Sequence, residues 1–218
     1  MKQWMAFLLS LVILPATAQI RGPSNEWSLN LHSIGSHRYS FEGGASARND
    51  GGAGFAGSLV HNLNDYFSLG GEVTLGEFDH RASVMPAPGN AAGSFDTRGR
   101  MELVTVRAVA NWYLLARPIT PFLTAGAGAT FLDTNFLGEA PSSGCWIYPW
   151  YGQVCGAKPP DTTLARFSYG ASLGARWDLA ASEGFLRAQI GGEWIQLSEA
   201  SSGRVGYVQV RADFGIRF

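Results

Sequence analysis

The sequence predicts an all-β fold: an eight-stranded antiparallel up-and-down barrel that spans a membrane, preceded by a cleaved signal peptide. Three observations predict it. Apolar and polar residues alternate with a period of two in eight separate stretches, the pattern of a strand whose two faces meet different surroundings. The connections between these stretches are alternately short and long. After the N-terminal leader, no segment carries the run of roughly 18 apolar residues that a membrane helix needs, so a membrane reading must be a barrel reading.

The leader comes first. In "MKQWMAFLLSLVILPATAQ", Lys2 supplies a positive start, Ala6 to Leu14 an apolar run, and Ala16-Thr17-Ala18 a small-residue cleavage site. The run is too short to cross about 30 Å of hydrocarbon as a helix. Residues 1–18 are therefore expected to be removed, leaving 19–218 as the barrel, 218 − 18 = 200 residues. Formal charge is −1 for the whole chain and falls to −2 without Lys2. No basic patch appears, and a nucleic-acid partner is not expected. Lys158 is the one lysine left after cleavage, against fourteen arginines.

The strands follow in order. Trp27, Leu29 and Leu31 oppose Ser28, Asn30 and His32 in a first, weaker strand reaching to Tyr39, and a second weak strand lies around Phe55 to Asn62. "YFSLGGEVTLG" sets Phe67, Leu69, Val73 and Leu75 against Ser68, Gly70, Glu72 and Thr74. "TVRAVANWYL" sets Val106, Ala108, Ala110, Trp112 and Leu114 against Thr105, Arg107, Asn111 and Tyr113. "FLTAGAGATFL" pairs an apolar face of Leu123, the alanines and Phe131 with one of glycine and threonine. In "LARFSYGASLGARWDLA" the alternation holds for seventeen residues, where about five or six is usual for a globular strand. In "FLRAQIGGEWIQL" Arg187, Gln189 and Glu193 form the polar face. The last strand, "VGYVQVRADFGIRF", sets Val208, Val210, Ala212, Phe214, Ile216 and Phe218 against Tyr207, Gln209, Arg211, Asp213 and Arg217.

Asn62–Asp65, Ala116–Thr120 and Ala181–Gly184 read as tight turns, and Gly43–Gly52, Ala82–Thr97, Phe136–Thr162 and Ser198–Gly203 as loops. A soluble sandwich has no reason to send its longer connections to one end, whereas an outer-membrane barrel does: turns face the periplasm and loops face outside. Trp112, Trp177 and Phe218 fall at the turn end, where an interfacial aromatic girdle belongs, and Trp194 toward the opposite rim.

Eight strands enclose an interior just wide enough for side chains to fill. The candidate fillers are Glu72, Arg107, Arg166, Arg176, Asp178, Arg187, Glu193, Arg211 and Asp213. Two readings apply, an ion pathway or a structural network of paired charges, and the balance of signs with arginine in place of lysine favours the network. Cys145 and Cys155, close together in an exported chain, predict a disulfide. Inside that ring stand Trp146, Tyr148, Trp150 and Tyr151. A closed loop loses less freedom on binding, and Trp and Tyr are favoured anchors. The same aromatics would equally serve by packing on the barrel rim or dipping into lipid headgroups.

In these features the mature chain resembles the OmpA/OmpW-like family of small eight-stranded outer-membrane barrels. The signal peptide, "YFSLGGEVTLG" after an Asn-Asp turn, "TPFLTAGAGATF" after a Pro turn, and "RADFGIRF" with its terminal Phe218 carry the likeness. The resemblance implies an integral protein of a Gram-negative-type outer membrane, in contact with its lipid and lipopolysaccharide. It also implies that Phe214, Ile216 and Phe218 form the signal read by the barrel-assembly machinery.

Three function classes follow. The leading one is non-enzymatic: envelope structure, or surface recognition and adhesion toward an extracellular ligand through the loops. The second is passage of small apolar molecules, as OmpW-like barrels suggest, for which Met101, Leu103 and Leu132 are apolar residues facing the lumen. The third is a lipid A-modifying enzyme. The deacylase type resembles a His-x-Ser pair near the outer end of the seventh strand, but here Gln196 precedes Ser198, and glutamine cannot take the serine proton. All four histidines, His32, His37, His61 and His80, fall in the first 80 residues. An acyltransferase pairing His32 or His37 with a serine is the remaining enzymatic form. No catalytic residue, cofactor or metal site is expected.

Overall fold

The computed structural model describes residues 21–40, 46–84, 95–134, 138–139, 145–148, 152–155, 163–179, 182–196 and 204–218. The expected leader lies outside the described residues, as do Trp150, Tyr151 and Ser198.

The alternating stretches form strands that close on themselves. β1 (Ser24–Ile34) breaks at Gly35–Ser36 and resumes as β2 (His37–Ser40). The chain then runs through β3 (Ser46–Asn64), β4 (Phe67–Val84), β5 (Phe95–Tyr113) and β6 (Ile119–Thr134). After three short strands, β7 (Gly138–Glu139), β8 (Cys145–Tyr148) and β9 (Gly152–Cys155), come β10 (Thr163–Asp178), β11 (Gly184–Gln196) and β12 (Arg204–Arg217). Each long strand pairs antiparallel with its neighbours, and β1 pairs with both β3 and β12. Counting β1 and β2 as one stave gives an eight-stranded closed barrel. Phe218 completes it, its carbonyl accepting from the Asn25 amide at 3.0 Å and its amide donating to the Asn25 carbonyl at 2.9 Å.

The barrel is inverted relative to a soluble protein. Along β12, Tyr207, Gln209, Arg211 and Asp213 are buried, while Val208, Val210 and Phe214 are exposed. β1 does the same, with Glu26, Ser28, Asn30 and His32 inside and Trp27, Leu29 and Leu31 outside. Leu31 is 71% exposed and Phe218 65%. Large apolar side chains left outside on every stave form one continuous belt, which is stable only where the surrounding solvent is itself apolar. Trp27, Trp112, Trp177 and Phe218 ring its turn end. Toward the other rim Trp194 lies flat over Gly192 and Gly206, within 2.8 and 2.7 Å of where a Cβ would stand, and stacks on Tyr169 at 5.6 Å. A side chain at either glycine would lift the indole off the wall.

The strands are longer than the apolar faces suggest. β3 and β5 have 19 residues and β4 has 18, where a tilted strand needs about 10 to cross. Part of each expected loop, Gly43–Gly52 and Ala82–Thr97, is therefore strand: pairing continues past Gly52 to Ser46 and past Ala82 to Val84. The reason is chemical. Beyond the belt the outward residues turn charged, so apolar alternation ends while the hydrogen-bond ladder goes on. The expected loop 136–162 likewise holds the small sheet β7–β8–β9.

A barrel wall closed by the β1–β3 and β1–β12 ladders resists detergent. Outer-membrane fractions run unboiled and boiled are expected to give two mobilities for this chain. A single mobility, with the protein in the periplasm, would contradict the barrel.

Candidate functional site: the packed lumen

The inward positions bring nearly all the expected charges together, and ion pairs between opposite staves tie the wall across its own interior. At mid-height Glu72 (β4) lies between two arginines. Arg107 Nε and Nη2 donate to Glu72 Oε1 at 2.9 and 2.6 Å, while Arg211 Nη1 reaches the same oxygen at 3.1 Å and its Nη2 pairs with Oε2. Arg107 and Glu72 are direct cross-strand partners; Arg211 arrives from β12 across the lumen. Arg107 Nη1 then donates to Glu193 Oε2 on β11 at 3.0 Å. A glycine makes room for Arg107. A Cβ at Gly128 would stand 2.5 Å from Arg107 Cα and 2.8 Å from its Cβ.

Nearer the turns a second group forms around Arg176, which is fully buried. Its Nη1 and Nη2 fork onto Glu26 Oε2 and Oε1, each at 2.7 Å, and its Nε donates to Asp178 Oδ1 at 2.8 Å. The guanidinium lies over the Phe185 ring at 3.9 Å and donates to the Tyr113 hydroxyl oxygen at 3.0 Å. Gly215 leaves the space for Phe185, whose Cζ would be 2.3 Å from a Cβ there. Arg21 closes this end. It donates to Asp178 Oδ2 at 2.8 Å and to the carbonyls of Leu115 at 2.7 Å and Asp65 at 3.3 Å, both at the turns. Arg217 adds a 3.1 Å bond to Asp178 Oδ1.

Between the two groups Arg187 faces Asp213, its direct cross-strand partner, at 3.4 Å, and donates to Ser28 Oγ at 2.7 Å. Gln189 Nε2 donates to Asp213 Oδ2 at 3.0 Å. A hydroxyl chain, Thr105–Thr130–Ser168 with both steps at 2.8 Å, spans three strands above them. Higher still the interior turns apolar. Met101, Leu103 and Leu132 are at most 1% exposed and pack with Ile34, Phe78 and Tyr207 in one cluster.

Of the nine expected network residues, Arg166 is the one that is not buried; it donates to the Ala165 carbonyl at 3.1 Å. Three members of the network lie outside the sequence expectation: Glu26, Arg21 and Arg217. Glu26 is within reach of periodicity, since the inward series Ser28, Asn30, His32 extends back to it. Arg21 precedes β1, where no periodicity exists to signal it.

Cys145 and Cys155 are directly opposite across the β8–β9 hairpin, as are Trp146 and Val154. Opposite positions put Cα atoms about 4.5–5.5 Å apart, inside the range of a disulfide. Omitting reductant is expected to raise the gel mobility of the boiled protein, and Cys145→Ser is expected to abolish that difference. Of the histidines, His32 and His80 are buried, and His37 and His61 exposed. The His32 ring meets Asn30 Oδ1 at 3.4 Å and the His61 ring meets Asn25 Oδ1 at 2.9 Å. Gln196 is exposed at the end of β11. Among the described residues, no group of three or more His, Cys, Asp or Glu is arranged to hold a metal.

An apolar belt around a paired polar interior, eight staves, and turns opposite longer connections define an integral outer-membrane β-barrel of the small, eight-stranded type. Solved structures agree in fold. The chain resembles Neisserial surface protein A (NspA) with a TM-score of 0.53 at 15% identity, over 91% of this chain and 100% of that one. It resembles the outer membrane protein OprG from Pseudomonas aeruginosa with a TM-score of 0.50 at 12% identity, over 92% and 98%. No protein-family model and no curated protein matches the sequence.

Proposed function

We propose that this barrel is a non-enzymatic envelope protein with a closed lumen, acting through its extracellular face in envelope structure or in surface recognition. The observation that carries the reading is the interior itself. The central charges of its lower and middle parts are engaged by partners on other staves, and its outer part is filled by packed apolar side chains. A solute would have to break several buried ion pairs at once, each break leaving charge uncompensated. What remains for interaction is the outward-projecting strand ends and the connections beyond them, including the 145–155 hairpin with its aromatics. The likeness in fold to a protein named for the cell surface is compatible with this.

Passage of small apolar molecules is the second reading. Its supporting observation is that the lumen lining turns apolar toward the outside, at Met101, Leu103 and Leu132. Uptake of a labelled hydrophobic solute by cells with and without the protein separates the two. Equal uptake, together with unchanged lipid A mass spectra, is the outcome the closed-lumen reading expects. Faster uptake would favour passage, and a changed lipid A mass would favour an enzyme. For recognition, replacing Trp146, Tyr148, Trp150 and Tyr151 by serine is expected to abolish cell-surface binding while keeping the boil-dependent mobility shift.

A further inference from the structure

Above the apolar belt, the outward faces of β3, β4 and β5 change chemistry rung by rung. The last apolar rung is Phe55, Leu75, Val104 and Phe131, four direct cross-strand partners. Two residues further out, Glu77, Glu102 and Asp133 stand opposite one another. The next rung sets Asp79 against Arg100. Beyond it, Arg81 is directly opposite Arg98 on one side and Arg48 on the other, and Arg48 is opposite Arg38 of β2. All four of these arginines are exposed.

Four guanidinium groups on one rung of four adjacent strands form a ladder of like charge, and like charges directly opposite are destabilising. Among the described residues one carboxylate offsets them: Asp50 pairs with Arg48 Nε at 3.2 Å and Arg81 Nε at 2.5 Å. Arg38 and Arg98 have no ion pair among the described residues. The alignment is built into the backbone. A bulge between Asn49 and Gly52, with Gly51 at φ 92°, resets the alternation of β3 so that Arg48 points outward and Asn49 inward.

Position selects the partner. Arg81 is six residues beyond Leu75 on the same face, about 20 Å along the strand at roughly 3.4 Å per residue. With a tilt of about 40° the ladder stands some 15 Å above the belt. It faces sideways, like the belt beneath it, and so looks into the polar layer of the surrounding leaflet. Arginine forks match phosphate oxygens two at a time, while the acidic rung below disfavours phosphate at the belt edge. We propose that Arg38, Arg48, Arg81 and Arg98 form a docking surface for the phosphorylated sugars of lipopolysaccharide packed against the barrel wall. The proposal rests on the outer-membrane reading.

The test uses the full mature chain, extracted in detergent, freed of lipopolysaccharide and placed in phosphatidylcholine bicelles. It is titrated with lipopolysaccharide, with the same material after dephosphorylation, and with a free sulfated oligosaccharide. The phosphorylated form is expected to bind at least about 10-fold tighter than the dephosphorylated one, as four exposed charge contacts of modest strength would give, and added salt should erode the difference. R38Q/R48Q/R81Q/R98Q is expected to lose the preference, and E77Q/E102Q/D133N to keep it. R38Q/R98Q, which breaks no ion pair, should show a partial loss. A wild-type barrel without phosphate preference overturns the proposal, as does a preference that survives in the glutamine variants. Tighter binding of the free oligosaccharide than of lipopolysaccharide also overturns it and moves the ladder to a soluble glycan. Absence of the boil-dependent shift in the wild type would instead overturn the outer-membrane reading.

Discussion

Glu72→Leu is expected to lower the unfolding free energy of the barrel in lipid by about 3–5 kcal/mol, the usual cost of removing one partner from a buried charge group. Glu72 holds Arg107 and Arg211 from opposite sides of the lumen. Without it, Arg107 keeps Glu193, but Arg211 is left buried with no carboxylate. Urea titration of vesicle-embedded protein, read by the fraction that keeps its unboiled mobility, measures the loss. The double variant Glu72→Leu, Arg211→Met is expected to regain most of it, because Arg107 keeps Glu193 and an apolar side chain of similar volume replaces the one charge left uncompensated. A single variant as stable as wild type would mean that the pairs contribute nothing, and that the interior is held by the backbone ladder alone.

The second large effect is at the turn end. Arg176→Met should cost a similar amount, about 3–5 kcal/mol, by stranding a fully buried Glu26. Arg217 Nε, at 3.6 Å from Glu26 Oε1, offers only a long and single replacement. Arg176→Lys is expected to recover less than half of the loss. An ammonium group can neither fork onto Glu26 nor lie flat on Phe185. The same urea titration applies, and full recovery by lysine would show that charge alone matters at this position.

Much of the architecture is legible in the sequence because a lipid-facing barrel writes its inside and outside as alternate residues. Alternation alone places Gln209, Arg211 and Asp213 inside, and Val208, Val210 and Phe214 outside. Strand ends are less legible. Past Leu75 and before Val104 the outward face switches to Glu77, Asp79, Arg81 and Arg98, Arg100, Glu102, so the polar contrast that marks a strand vanishes although pairing persists. The bulge at Gly51 hides β3 further by shifting its parity.

The candidate site is legible in composition and not in connectivity. Opposite charges on inward positions announce a network, but the pairing of Arg176 with Glu26 or Arg107 with Glu193 joins staves far apart in the chain. It depends on barrel closure and strand stagger, which periodicity does not encode. Arg166 shows the limit. It alternates correctly, yet its height on β10 leaves it above the main charge groups. Arg21 shows the converse, a residue outside any strand that closes the turn end through its carbonyl and carboxylate contacts.

The central claim, that this lumen is closed by its own side chains, is tested most directly by conductance across a planar lipid bilayer. The wild-type barrel, with insertion verified by its unboiled mobility, is predicted to give no stable current steps above the bare bilayer. Steady open-channel conductance under the same conditions would contradict the account.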